Sequence, residues 1–115
     1  MEGLDLNYES DYVRRGSVID MPYRNQYFDR VLLLDVLEHI PFMDQRSALR
    51  EIHRVLKPGG IFIATIPNLA HMNSRFRVLF FGDLDRTDSD VNHPGERPLR
   101  ENRRLLTDAG FHCKK

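Results

Sequence analysis

Two dense apolar runs dominate the pattern, VLLL at 31–34 and IFIATI at 61–66, with a helically spaced apolar stripe between them. Residues 28–66 read as a buried strand over 29–34, a polar junction over 35–41, an amphipathic helix over about 44–56, a Pro-Gly-Gly stop and a second buried strand over 60–66. Near-continuous apolar strands are those covered on both faces, as in parallel sheets with helical crossovers. The centre is therefore one βαβ unit of an α/β domain. Ligands of open parallel sheets sit beyond the carboxyl ends of the strands, which here means 35–41 and 67–69.

In the central helix Ala48, Leu49, Ile52, Val55 and Leu56 recur at helical spacing, while Gln45, Arg46, Arg50, Glu51 and Arg54 take the other face. Asp44 suits the N-cap or first turn, Glu51 can pair with Arg54, and Pro58 with Gly59 or Gly60 ends the helix. Upstream, 1–7 forms a short strand, 8–16 has room for little more than a helical turn, and Val18-Ile19 offers another short strand. Downstream, Leu69, Met72, Phe76, Leu79 and Phe80 make a second stripe, 83–97 a polar loop, and Pro98 the start of a last helix. Leu99, Leu105, Leu106 and Ala109 face inward in that helix, which Gly110 ends before Phe111 begins another strand.

A length of 115 residues suits a single domain, 1–115, with a modest core. Seventeen basic and seventeen acidic side chains cancel, so no global field points to nucleic acid or to an acidic membrane surface. One cysteine, Cys113, permits neither an internal disulfide nor a thiolate metal cluster. With no membrane-length apolar run and no signal-peptide layout, a cytoplasmic protein is expected.

The order GLDLN, IDMPYRNQYFD, DVLEHI, REIHRVLKPGG, IPN and a late AGF resembles the class I S-adenosylmethionine-dependent methyltransferases. The likeness is strongest to the small-molecule branch, related to ubiquinone and methionine-pathway enzymes. It implies an incomplete Rossmann-like three-layer sandwich with a mostly parallel sheet. It also implies S-adenosyl-L-methionine as cofactor and methyl transfer to an O, N or C nucleophile of a small-molecule acceptor.

By that resemblance Asp5 is the carboxylate that accepts from the cofactor's ribose hydroxyls; without it, Asp5 is a loop acid. Ser17 stands where the family carries an Asp facing the adenine amino group, and Val18 offers a backbone N–H beside it. Asp35 and residues 37–40 correspond to the segment that lines the methionine end of the cofactor and the acceptor, with Asp35 and Leu37 as the cofactor-binding residues. His39 is either a general base for the acceptor or, with Glu38, a residue that orients the loop by hydrogen bonding. Pro67 and Asn68 edge the substrate pocket, Asn68 being alternatively a helix N-cap.

Family members begin with a strand and a Gly-x-Gly loop, and no such loop occurs in these residues. The missing strand would lie between those represented by 3–6 and 29–34. These two are then expected to pair directly, rearrange, or borrow a strand, a homodimer being one route to completing the sheet. A non-catalytic binding or dimerisation module is thus the alternative to an enzyme. Asp83, Asp85, Asp88 and Asp90 lack the Gly and Glu of a calcium loop, and Arg97, Arg100, Arg103 and Arg104 read as a solvated helix face. His53, His71, His93 and His112 show no metal-ligand spacing, so no metal is expected.

Overall fold

The fourteen residues of helix α1 (Phe42–Val55) organise the molecule: Ala48, Leu49, Ile52 and Val55 are all fully buried along one stripe. The computed structural model describes residues 1–66 and 98–114. Along these run strands β1 (Gly3–Asp5), β2 (Val13–Arg15) and β3 (Phe28–Leu34), a 3-10 turn at Leu37–His39, α1, strand β4 (Leu56–Thr65) and helix α2 (Leu99–Asp108). The expected stripe at 69–80, the loop at 83–97, Pro67 and Asn68 lie outside the described residues.

The βαβ unit is present, but its joints differ from the pattern. Helix α1 starts two residues before Asp44, with Pro41 at the cap and Asp44 as the first-turn acid. Its first residues, Phe42 and Met43, are exposed, so apolar periodicity did not mark them. At the other end the Pro-Gly-Gly stretch is not the stop. Leu56 is already extended and pairs with Phe28, while Arg30 faces Ile61, so residues 57–60 bulge opposite Asp29. The last α1 carbonyls, on Arg54 and Val55, accept instead from the Gln26 and Tyr27 N–H groups at 2.9 and 2.7 Å. Orphan carbonyls at a helix end need donors, and here the chain entering β3 supplies them. Gly59 keeps its left-handed role (φ +75) within the bulge. Across it Lys57 Nζ donates to Asp29 Oδ1 at 2.9 Å, holding that exposed carboxyl below its usual range.

Strand β1 pairs in parallel with β2, Gly3 opposite Val13 and Asp5 opposite Arg15. The strand therefore lies in the stretch read as a helical turn, and Val18-Ile19 forms a turn closed by a Ser17–Asp20 bridge. A Val-Arg-Arg strand carries no apolar alternation; backbone pairing makes it. Strand β3 pairs with β4, not with β1, leaving two separate parallel ladders among the described residues. One face of the β3–β4 ladder presents Val31, Leu33, Phe62 and Ala64 to the core built on α1. On the other face Leu32, Leu34, Ile61 and Ile63 are exposed, so among the described residues cover is found on one face, where both were expected.

Helix α2 closes the covered side through Leu105, Leu106 and Ala109, and Phe111 packs on the Phe62 and His53 rings instead of opening a strand. Leu99 is exposed, and Asn102 takes the buried place expected of it. The helix ends as the glycine predicts: Gly110 (φ +91) donates to the Thr107 carbonyl and Phe111 to the Leu106 carbonyl, both at 3.0 Å. A Cβ on Gly110 would also lie 3.2 Å from His53 Nε2. Gly110→Ala is expected to cost about 1–2 kcal/mol from left-handed strain, plus the His53 contact. Gly59→Ala, which meets nothing within 4 Å, isolates the strain. A urea midpoint for Gly110→Ala at or above that of Gly59→Ala would contradict the contact.

Candidate functional site

The carboxyl ends of β3 and β4 are tied side chain to backbone. Asp35 has a left-handed backbone (φ +52), which a non-glycine residue adopts at some cost. Its N–H donates to Thr65 Oγ1 at 2.8 Å, and the Thr65 hydroxyl donates back to Asp35 Oδ1 at 2.9 Å. This reciprocal pair fixes the point where the chain leaves β3 for the 3-10 turn. Thr65 was not among the residues singled out from the sequence.

In the turn, Leu37 is almost fully buried in the apolar core, so its side chain serves packing. His39 is exposed, with its N–H donating to the Val36 carbonyl at 3.0 Å. The polar group that holds the turn is Gln45, fully buried, whose Nε2 donates to the Leu37 and Ile40 carbonyls at 3.0 and 3.1 Å. Its assignment to the polar face of the helix is corrected, and its spacing carried the signal: Gln45 stands three and four residues before Ala48 and Leu49. Glu38 is buried in the same turn, and its Oε2 has no hydrogen-bond partner among the described residues.

A second group lies at the ends of β1 and β2. Asp5 is exposed, and its Oδ1 accepts the Asn7 and Tyr8 N–H groups, both at 2.8 Å. The Gly16 N–H donates to the Asp5 carbonyl at 2.8 Å, which sets Ser17 and Val18 next to that acid. Ser17 Oγ accepts the Ile19 N–H at 3.3 Å, and half-buried Val18 packs against the core. A Cβ on Gly16 would sit 2.9 Å from Leu4 Cδ1 and 3.1 Å from Pro22 Cδ, so a side chain here requires its neighbours to shift.

The loop that follows is clamped from α1. Glu51 and Arg54 pair as predicted, at 2.7 Å through both guanidinium contacts, yet neither is simply solvated. Glu51 Oε2 accepts the Met21 N–H at 2.8 Å, and Arg54 donates to the Met21 and Tyr23 carbonyls and to Asn25 Oδ1 at 2.7–3.1 Å. The guanidinium and the Met21 N–H hold the Glu51 carboxyl below its usual range. Burial raises the Tyr23 phenol, whose hydroxyl donates to the Gly3 carbonyl at 3.1 Å. Among the described residues no three His, Cys, Asp or Glu side chains form a metal-binding group, and no helix is long and apolar enough to cross a membrane.

A family model described as a methyltransferase domain matches residues 4–64, more than half of the chain and nearly all of the span from β1 to β4. The chain belongs to the class I S-adenosylmethionine-dependent methyltransferases. It is 32% identical over 102 residues to a Mycolicibacterium smegmatis protein described as a probable S-adenosylmethionine-dependent methyltransferase, covering 89% of this chain and 35% of that protein. It is 30% identical over 114 residues to the demethylmenaquinone methyltransferase of Staphylococcus aureus, covering 84% of this chain and 45% of that one. Among solved structures, a Thermotoga maritima methyltransferase described as a possible histamine N-methyltransferase superposes with a TM-score of 0.71 at 23% identity. That superposition covers 89% of this chain and 46% of the neighbour, and it places the chain in the Rossmann-like fold. The chain spans less than half the length of these relatives.

Proposed function

We propose that this chain presents the nucleoside-binding and reacting-end residues of a methyltransferase that transfers the methyl group of S-adenosyl-L-methionine to a small-molecule O, N or C nucleophile. The observation that carries this reading is the coincidence of the matched segment, 4–64, with the strand ends bearing Asp5, Ser17, Val18, Asp35 and His39. The donor set suits the cofactor. Asp5 Oδ2 and the Val18 N–H make no hydrogen bond among the described residues, which leaves an acceptor for ribose hydroxyls and a donor for an adenine ring nitrogen. When bound, S-adenosylmethionine supplies the activated methyl group.

The chain's own contribution is alignment. The Asn7 and Tyr8 amides hold the Asp5 carboxylate in one orientation. The Asp35–Thr65 pair sets the path of the backbone past the reacting end. The exposed His39 imidazole can take a proton from an acceptor hydroxyl or amine. Isothermal titration of the 115-residue chain with S-adenosylmethionine tests the reading: saturable micromolar binding is expected. Absence of heat alongside a folded circular-dichroism spectrum would overturn it.

One observation favours a second reading, a non-catalytic module that pairs with a second copy: the exposed Leu32, Leu34, Ile61 and Ile63 on the face of the β3–β4 ladder away from α1. A monomeric mass by light scattering would remove it.

A further inference from the structure

We propose that Glu38 is the receiving group for a hydrogen-bond donor, an ammonium or a hydroxyl, on a small molecule bound at the carboxyl ends of β3 and β4. This inference rests on the methyltransferase reading and adds a binding residue to it. Glu38 is 3% exposed, and its Oε2 is buried with no partner among the described residues. A carboxyl oxygen taken out of water without a partner opposes folding, whereas an apolar side chain there would not.

Among the described residues no donor reaches this oxygen. Gln45 satisfies the Leu37 and Ile40 carbonyls, the His39 and Ile40 N–H groups are used within the turn, and Asp35 is held by Thr65. The flanking Leu37 and Ile40 are buried apolar residues. A buried carboxyl group in this turn, just past the end of β3, is an acceptor left over for a donor from outside the described residues. Bonds of this kind are strongest when the donor is cationic and water is excluded. Two sources share that chemistry: the α-ammonium on the amino-acid end of the cofactor, and an amine or hydroxyl of the acceptor.

The test uses the full chain with Glu38→Met and Glu38→Gln. Without ligand, Glu38→Met is expected to keep or raise the urea midpoint, because the side chain it replaces has an unsatisfied oxygen; a lowered midpoint would show a structural partner and overturn the assignment. Binding of S-adenosylhomocysteine, 5′-methylthioadenosine and histamine is then measured for wild type and Glu38→Gln. A loss of about tenfold or more for S-adenosylhomocysteine alone identifies the cofactor's ammonium, and the same loss for histamine alone identifies the acceptor. Methylthioadenosine lacks both the amino-acid ammonium of S-adenosylhomocysteine and the alkyl amine of histamine, and should bind the two proteins equally. Unchanged affinity for both amine-bearing probes, or no binding of either by wild type, overturns the proposal. If wild type still binds methylthioadenosine in that case, the methyltransferase reading stands and the Glu38 assignment alone falls; if it binds neither nucleoside, that reading falls as well.

Discussion

Leu49→Ala is expected to destabilise the chain by about 3–5 kcal/mol, the upper part of the range for a fully buried leucine truncated to alanine. Leu49 lies at the middle of the α1 stripe with Ala48, Ile52 and Val55, all without exposed surface. Substitution removes the leucine's burial energy and leaves a cavity, and the cavity term depends on how far the surroundings collapse. Collapse is restricted here because α1 is pinned at both ends, by Gln45 to the 3-10 turn and by the Gln26 and Tyr27 amides at its last carbonyls. A domain of this size has a total stability of roughly 5–15 kcal/mol, so the substitution brings the chain close to unfolding at room temperature. Urea denaturation followed by far-ultraviolet circular dichroism measures the effect. A loss below about 1 kcal/mol, outside the range for such cavities, would mean that the interior around α1 is loosely packed.

The parts of this fold that were legible in the sequence are those written in local spacing. The α1 stripe repeats at 3, 4 and 7 residues, and the helix follows it. The run ending at Leu34 is a strand in the expected place, and Gly110 ends α2 in the left-handed conformation expected of it. What could not be read depends on pairing between distant residues. Strand β2 is a Val-Arg-Arg segment that becomes a strand because β1 lies beside it. The lysine-proline-glycine-glycine stretch looks like a helix stop in isolation. It became a bulge in β4 because Phe28 takes Leu56 as partner and so starts the strand early. At the candidate site, the family resemblance selected Asp5, Ser17, Val18, Asp35 and His39, but not their geometry. The Asp35–Thr65 pair joins residues thirty positions apart, and the Gln45 contacts need the turn to be folded first.

Arg54 illustrates the same point and carries the other large expected effect. From spacing alone it is half of an ordinary helix pair with Glu51, the kind worth a few tenths of a kcal/mol. In the structure its guanidinium also donates to the Met21 and Tyr23 carbonyls and to Asn25 Oδ1, while Glu51 receives the Met21 N–H. The two side chains are 30% and 19% exposed, enough to reduce their coulombic attraction but not to replace their six directional bonds with water. Arg54→Ala is therefore expected to cost about 2–3 kcal/mol and to raise amide exchange across residues 21–25. Glu51→Gln keeps the shape and tests the charge. The Glu51 carboxyl is held below its ordinary value of 4.5 in the folded chain. Its stabilising contribution is complete above that value and disappears as pH falls through the lower, folded one. The wild-type urea midpoint should consequently fall more steeply than that of Glu51→Gln below about pH 4.5, and the two curves should run parallel above it. Parallel curves throughout the acid range, or an Arg54→Ala midpoint equal to wild type, would show that the 21–25 loop keeps its place without the clamp.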